Sequence, residues 1–159
     1  MTKRTLFAAL AALAMVVATE APAAAQAQFG AQVSYAEDFD LGIGARAQFG
    51  LAQLGVENLF GIASVDYFFP DCGAGDCNYI ELNANGAISL PEVGLPIYAG
   101  GGLNVAHASF GDFSNTEVGL NILGGVQFPD ALGALTPFAE ARFELSGGEQ
   151  FLITGGILF

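Results

Sequence analysis

The segment from His107 to Glu117 carries the residue types of a nucleophilic hydrolase. His107 and Ser109 are separated by one residue, and Glu117 follows further along the chain. A histidine that accepts the serine proton lets the hydroxyl attack an acyl group, while a carboxylate holds the imidazole. Residues two apart on a strand share only a face, however, so this spacing alone does not assemble a catalytic site. We therefore favour the alternative, a histidine in a loop that joins two strands.

The two cysteines lie in one short segment. Cys72 and Cys77 flank a stretch that contains two glycines, and we expect a disulfide across a loop tip that contributes about 2 kcal/mol. A zinc site needs more Cys or His ligands, and a redox pair usually has Cys-x-x-Cys spacing. No metal-ligand cluster or phosphate-binding loop stands out elsewhere, so we expect no cofactor.

The composition is both apolar and acidic. Of the 159 residues 53% are hydrophobic, yet Lys+Arg 4 against Asp+Glu 16 gives a formal net charge of -12. This scarcity of basic residues excludes a nucleic-acid partner, which requires a basic face. A mean hydropathy of +0.51 also excludes disorder.

Residues 1–27 have the pattern of a signal peptide. Lys3 and Arg4 precede an apolar stretch over residues 6–18, which is shorter than the roughly 20 residues that cross a bilayer. Small residues favour cleavage after Ala27, or after Ala25. The alternative is a retained anchor. We thus expect export to an oxidising compartment and one domain over residues 28–159.

From residue 28 the hydrophobic residues recur with a period of two, which is typical of β-strands. Seven segments alternate clearly, beginning near residues 29, 41, 80, 95, 118, 139 and 151. An eighth, the third along the chain, spans about Val56 to Phe69. Because Phe60, Ile62 and Phe68 fall there on the face opposite the other apolar residues, we expect a β-bulge. The sequence predicts eight antiparallel strands.

The composition of the polar face indicates which side is enclosed. It carries mainly Gly, Gln, Asn and Ser, which suit a cramped interior better than a water-facing surface. Apolar residues outside and polar ones inside are the pattern of a transmembrane β-barrel. The aromatic residues at strand ends form two predicted rims, a periplasmic one of Phe29, Phe49, Phe128 and Phe159 and an outer one of Tyr35, Tyr67, Phe143 and Phe151. The alternative is a soluble lipocalin-like barrel with its apolar face inward, binding a small hydrophobic ligand.

Charged residues on the polar face predict an ion-pair network. Arg46 and Arg142 fall inside the barrel, with Glu81, Glu140 and Glu144 as partners. Eight strands enclose only enough room for side chains, so we expect a mostly filled lumen and at most a narrow pore. The connections expected outside the cell, around Asp38, Cys72, His107 to Thr116 and Gly147 to Gln150, are acidic. Divalent cations could link them to anionic lipopolysaccharide; solvated loop charges are the alternative we favour.

Four segments resemble the outer membrane protein beta-barrel domain family, the small eight-stranded barrels grouped with OmpA- and OmpX-type proteins. They span residues 79–83, 95–102, 119–128 and 136–145. The resemblance implies a monomer in the outer membrane of a Gram-negative-type bacterium, in contact with outer-membrane lipid and lipopolysaccharide. It also implies recognition by the barrel assembly machinery through a C-terminal signal that contains Phe151, Ile153, Ile157 and Phe159.

The same resemblance implies little about chemistry, and we expect a structural or surface-interaction role rather than an enzyme. The enzymatic alternative is a lipid A deacylase, another small barrel that uses a Ser/His pair with an acid. Here the serine would be Ser109, but Phe110 stands where those enzymes carry Asn.

Overall fold

Eight antiparallel strands form one closed barrel in chain order. The computed structural model describes residues 27–71, 77–90, 96–111, 113–129, 131–145 and 149–159. The strands are β1 (Gln28–Ala36), β2 (Asp40–Gly50), β3 (Leu59–Phe68), β4 (Cys77–Ser89), β5 (Ile97–Phe110), β6 (Phe113–Gln127), β7 (Thr136–Glu144) and β8 (Phe151–Leu158), with a 3-10 turn at Ala52–Leu54. Helices long and apolar enough to cross a membrane do not occur in this described part.

The first and last strands close the barrel. β1 pairs with β8 from Gly30↔Leu158 to Ala36↔Leu152, and Phe29 and Phe159 exchange two backbone hydrogen bonds of 3.2 and 2.8 Å. We call the end that carries these two residues the inner end, and the end that carries the β1–β2 turn the outer end. Closure pairs both edges of the sheet, which confirms the predicted up-and-down eight-stranded barrel.

Side-chain alternation separates a polar interior from an apolar exterior. Gln32, Ser34 and Asn83 are buried inside, whereas Val33 and Leu103 are each 53% exposed on the outside. Six of the eight predicted aromatic residues are exposed at the two ends: Phe29, Phe128 and Phe159 at the inner end, Tyr35, Phe143 and Phe151 at the outer end. The other two, Phe49 and Tyr67, are half-buried. This polarity is the reverse of the one that a lipocalin-like barrel requires.

Strand β3 pairs regularly, so the predicted bulge was wrong. Its ladder with β2 runs without interruption from Gly42↔Phe68 to Gly50↔Phe60, and the ladder with β4 is equally continuous. Phe60, Ile62 and Phe68 point into the barrel and are buried. Large apolar side chains fill the lumen near both ends of this strand. The side of β3 that faces the lumen therefore cannot be recognised from polar residues alone.

The segment from His107 to Thr116 is a β-hairpin rather than the predicted loop. β5 continues to Phe110 and β6 begins at Phe113, with His107 paired to Thr116. The β6–β7 ladder begins only at Asn121↔Glu144, so the first part of β6 pairs with β5 alone. The hairpin extends past the outer end, and its outward face there carries polar residues such as His107 and Thr116. This polar sequence is typical of a loop, which is why the segment was predicted as one.

Candidate functional site

The barrel interior consists of two apolar clusters with a charged layer between them. The inner cluster comprises Phe60, Ile62, Ala87, Tyr98 and Leu123. The outer cluster comprises Ala36, Phe68, Tyr79, Ala106 and Leu152. Alternation along each strand places these residues on the same lumen-facing side as the charged ones. Their position along the strand therefore decides how far each lies from the ends of the barrel. The clusters flank the charged layer, one toward each end of the barrel.

One ion pair crosses the lumen between β2 and β7. The Arg46 guanidinium contacts the Glu140 carboxylate, and both side chains are buried. The Tyr98 hydroxyl donates a hydrogen bond of 2.8 Å to Glu140 Oε2, and the Arg46 guanidinium carbon lies 4.3 Å from the centre of the Phe138 ring. These contacts compensate part of the cost of removing the two charges from water.

A second network joins β4 and β7. Arg142 Nη2 lies 2.6 Å from Glu81 Oε1, and Arg142 Nε lies 3.8 Å from Glu144 Oε1. Asn83 Nδ2 donates to Glu81 Oε1 at 2.7 Å. The structure thus brings Arg142 together with two of its predicted partners and Arg46 with the third. Around the closed barrel β2 and β7 are three strands apart, as are β4 and β7. The Arg46–Glu140 and Arg142–Glu81 pairs therefore each span the lumen, whereas Glu144 lies on the same strand as Arg142.

Asp66 is a lumen carboxylate that sequence reasoning missed. It is fully buried and accepts hydrogen bonds from Gln32 Nε2 at 2.8 and 3.0 Å and from Ser34 Oγ at 2.9 Å. Because a bulge was expected in β3, the sequence did not decide whether the Asp66 side chain points into the barrel or out of it. Strict alternation of inward and outward side chains along β3, starting with Phe60 inside, would have placed residue 66 in the lumen.

The three residues of the hydrolase hypothesis do not come together. His107 Nδ1 lies 2.8 Å from Thr116 Oγ1. Glu117 stands opposite Ala106 in the ladder and accepts a hydrogen bond of 2.8 Å from Asn115 Nδ2. Because neighbouring residues of a strand point to opposite faces, Glu117 and His107 lie on different sides of the hairpin. The geometry therefore does not build the carboxylate–histidine contact that a deacylase would use.

Several predicted features fall partly outside the described residues. Cys77 begins β4, but Cys72 lies outside the described ranges, and the disulfide stays a prediction. The predicted signal peptide likewise lies outside them except for Ala27. On β8 and just after it, Phe151, Ile153, Ile157 and Phe159 all point outward. In the described ranges, His, Cys, Asp and Glu form no group of three or more that could hold a metal ion.

The outer end carries a cavity of about 240 Å³, which we call the mouth cavity. At the start of β2, directly after the β1–β2 turn, Asp40 adopts a positive φ of 59°, a conformation that Asp tolerates better than most residues. The preceding Phe39 stacks on Tyr79, with ring centres 3.7 Å apart and planes at 8°. These two rings border the cavity above the outer cluster, and Asp38, Glu117 and Gln150 also line it.

No family model matches the chain, and no curated protein does. Among solved structures, it is similar to Neisserial surface protein A (NspA), with a TM-score of 0.64, 16% identity and coverage of 87% of this chain and 98% of that chain. Lower scores relate it to Ail, the attachment invasion locus protein of Yersinia pestis (TM-score 0.48, 16% identity, 85% of this chain and 97% of that chain). The N-terminal β-barrel domain of Pseudomonas aeruginosa OprF gives a TM-score of 0.45, 16% identity and coverage of 85% and 99%. The chain therefore has the fold of the small eight-stranded outer-membrane β-barrels, as the resemblance of its strands implied.

Proposed function

We propose that this protein is an integral outer-membrane barrel with a structural or surface-interaction role. The observation that carries the proposal is its polarity: large apolar side chains cover the outside, while ion pairs and other buried polar side chains lie inside. Such an exterior is a liability in water but matches the hydrocarbon layer, and the aromatic residues at both ends match its interfaces. Outer-membrane lipid and lipopolysaccharide would be its immediate neighbours.

We further propose that β8 presents the assembly signal and that the barrel is monomeric. Support comes from the outward row of apolar residues on β8 and from closure, which pairs both edges of the sheet. The signal peptide and the disulfide belong to the same proposal, since export through an oxidising compartment would precede insertion.

Cell fractionation tests the location. We expect the protein to separate with the outer membrane and to resist extraction by high salt, because its whole apolar exterior would contact lipid. On gels without boiling, a folded barrel should migrate differently from the boiled sample. Recovery in the soluble periplasmic fraction would contradict the proposal and favour a secreted barrel.

The filled interior also predicts that the barrel is not a diffusion pore. The inner and outer clusters lie on either side of the charged layer, so a hydrated ion meets apolar side chains at both ends. In planar bilayers we expect folded protein, verified by its gel mobility, to give no discrete conductance steps. Reproducible steps from folded protein, lost after boiling, would instead establish the narrow pore as its function.

A further inference from the structure

We propose that the mouth cavity binds a small organic ammonium ion, an amine carried on an apolar or aromatic group. The cavity lies where the projecting β5–β6 hairpin meets the β1–β2 turn, outside the charged layer of the lumen. It combines an aromatic floor with acceptor groups and a negative surrounding charge. The binding site is additional to the membrane role proposed above and does not depend on it.

The floor of the cavity is formed by aromatic rings. Tyr79 is stacked under Phe39 and packs edge-on against Phe68 at 5.4 Å between ring centres. Ala106, Ala108 and Phe110 line the side formed by β5. Its volume of about 240 Å³ lies below the usual range for drug-sized ligands. The ligand must therefore be small, with an apolar part that can lie against these rings.

Gln150 lines the cavity and carries a buried acceptor without a partner. Its side-chain Nε2 donates to Tyr79 Oη at 3.0 Å and to Glu144 Oε2 at 2.8 Å. These two bonds fix the amide, so its Oε1 must accept. Gln150 is only 3% exposed, and Oε1 has no hydrogen-bond partner among the described residues. A buried acceptor of this kind calls for a donor, which an ammonium group provides.

The charges around the cavity select a cation. Asp38 and Glu117 line it, whereas none of its described lining residues is basic. The arginines of the described barrel, Arg46 and Arg142, are buried in ion pairs below. An anionic ligand would thus meet only like charges. Because the described residues offer no metal-binding group, the aromatic floor makes an organic cation a better fit than a metal ion.

Calorimetric titration of the folded protein in zwitterionic micelles tests this inference. The probes are benzylamine, its neutral and anionic counterparts benzyl alcohol and benzoate, and Mg²⁺. We expect saturable binding of benzylamine beyond that of empty micelles, and no saturable binding of the other three probes. Glu117→Gln should weaken benzylamine binding by about tenfold, and Gln150→Leu should weaken it as well.

Glu37→Gln is the matched control, since Glu37 is an exposed carboxylate of the β1–β2 turn, next to Asp38, and does not line the cavity. It should leave the benzylamine affinity unchanged within about twofold. Equal losses from Glu37→Gln and Glu117→Gln would overturn the inference, because they would indicate attraction by overall charge only. Benzyl alcohol binding as tightly as benzylamine, stoichiometric displacement by Mg²⁺, or a signal no larger than that of empty micelles would also overturn it.

Discussion

Replacing Arg142 by methionine is expected to lower the free energy of unfolding by about 3–5 kcal/mol. Arg142 is 2% exposed and its partner Glu81 is fully buried, with Nη2 and Oε1 2.6 Å apart. Removing the guanidinium leaves Glu81 and Glu144 uncompensated, and nearby donors such as Asn83 do not replace a full positive charge. Urea unfolding in phospholipid vesicles, followed by the heat-sensitive gel mobility, measures the loss.

A second variant shows whether the loss of stability comes from the carboxylate that Arg142→Met leaves unpaired. Arg142→Met combined with Glu81→Gln removes both members of the pair and should be more stable than Arg142→Met alone, because a neutral amide costs less to bury than an unpaired carboxylate. Glu57→Gln, in the exposed inner-end segment before β3, is the control and should change stability by less than about 0.5 kcal/mol. An Arg142→Met loss as small as that of Glu57→Gln would mean that water reaches the pair and that the lumen is open.

The charged layer was predictable where alternation is clean. On β7 the residues Glu140, Arg142 and Glu144 alternate with Ala139, Ala141 and Phe143, so their inward direction follows from the period of a strand. Arg46 follows in the same way from β2. Which partner each arginine selects did not follow, because the two cross-lumen pairs depend on strand stagger, and alternation carries no information about stagger.

Asp66 and the β5–β6 hairpin show where the pattern fails. Near its ends the lumen is filled by aromatic and aliphatic side chains, so Phe60 and Phe68 point inward with Asp66 between them. Beyond the outer end β6 pairs with β5 alone, and its outward face carries polar residues such as Thr116. In both places the local environment differs from that of a strand in the middle of the barrel.

The mouth cavity could not be predicted from local sequence. Phe39, directly before the positive-φ residue Asp40, stacks on Tyr79, a residue from a different hairpin. Gln150 lies directly before β8, yet its two hydrogen bonds reach β4 and β7. Such contacts join parts of the chain that are distant in sequence. They form because the closed barrel brings the outer ends of all strands together around its opening.

Replacing Val33 by arginine distinguishes a lipid-facing exterior from a water-facing one. Val33 lies at the middle of β1 and is 53% exposed, opposite Ile43 on β2 and Gly155 on β8. In a bilayer the guanidinium would lie near the midplane, where arginine costs about 2–4 kcal/mol. Unfolding in phospholipid vesicles should therefore show a loss of that size.

The matched variant is Leu54→Arg, the same kind of apolar-to-arginine change at an exposed residue of the 3-10 turn at the inner end. There the side chain would reach water or lipid headgroups, where the expected cost is about 0–1 kcal/mol. The difference between the two losses measures the change of environment with depth, because both changes add the same charge to an exposed apolar position. If the two variants lose the same small amount, the outside of the barrel faces water, and its apolar surface would then have to be covered by a protein partner rather than by lipid.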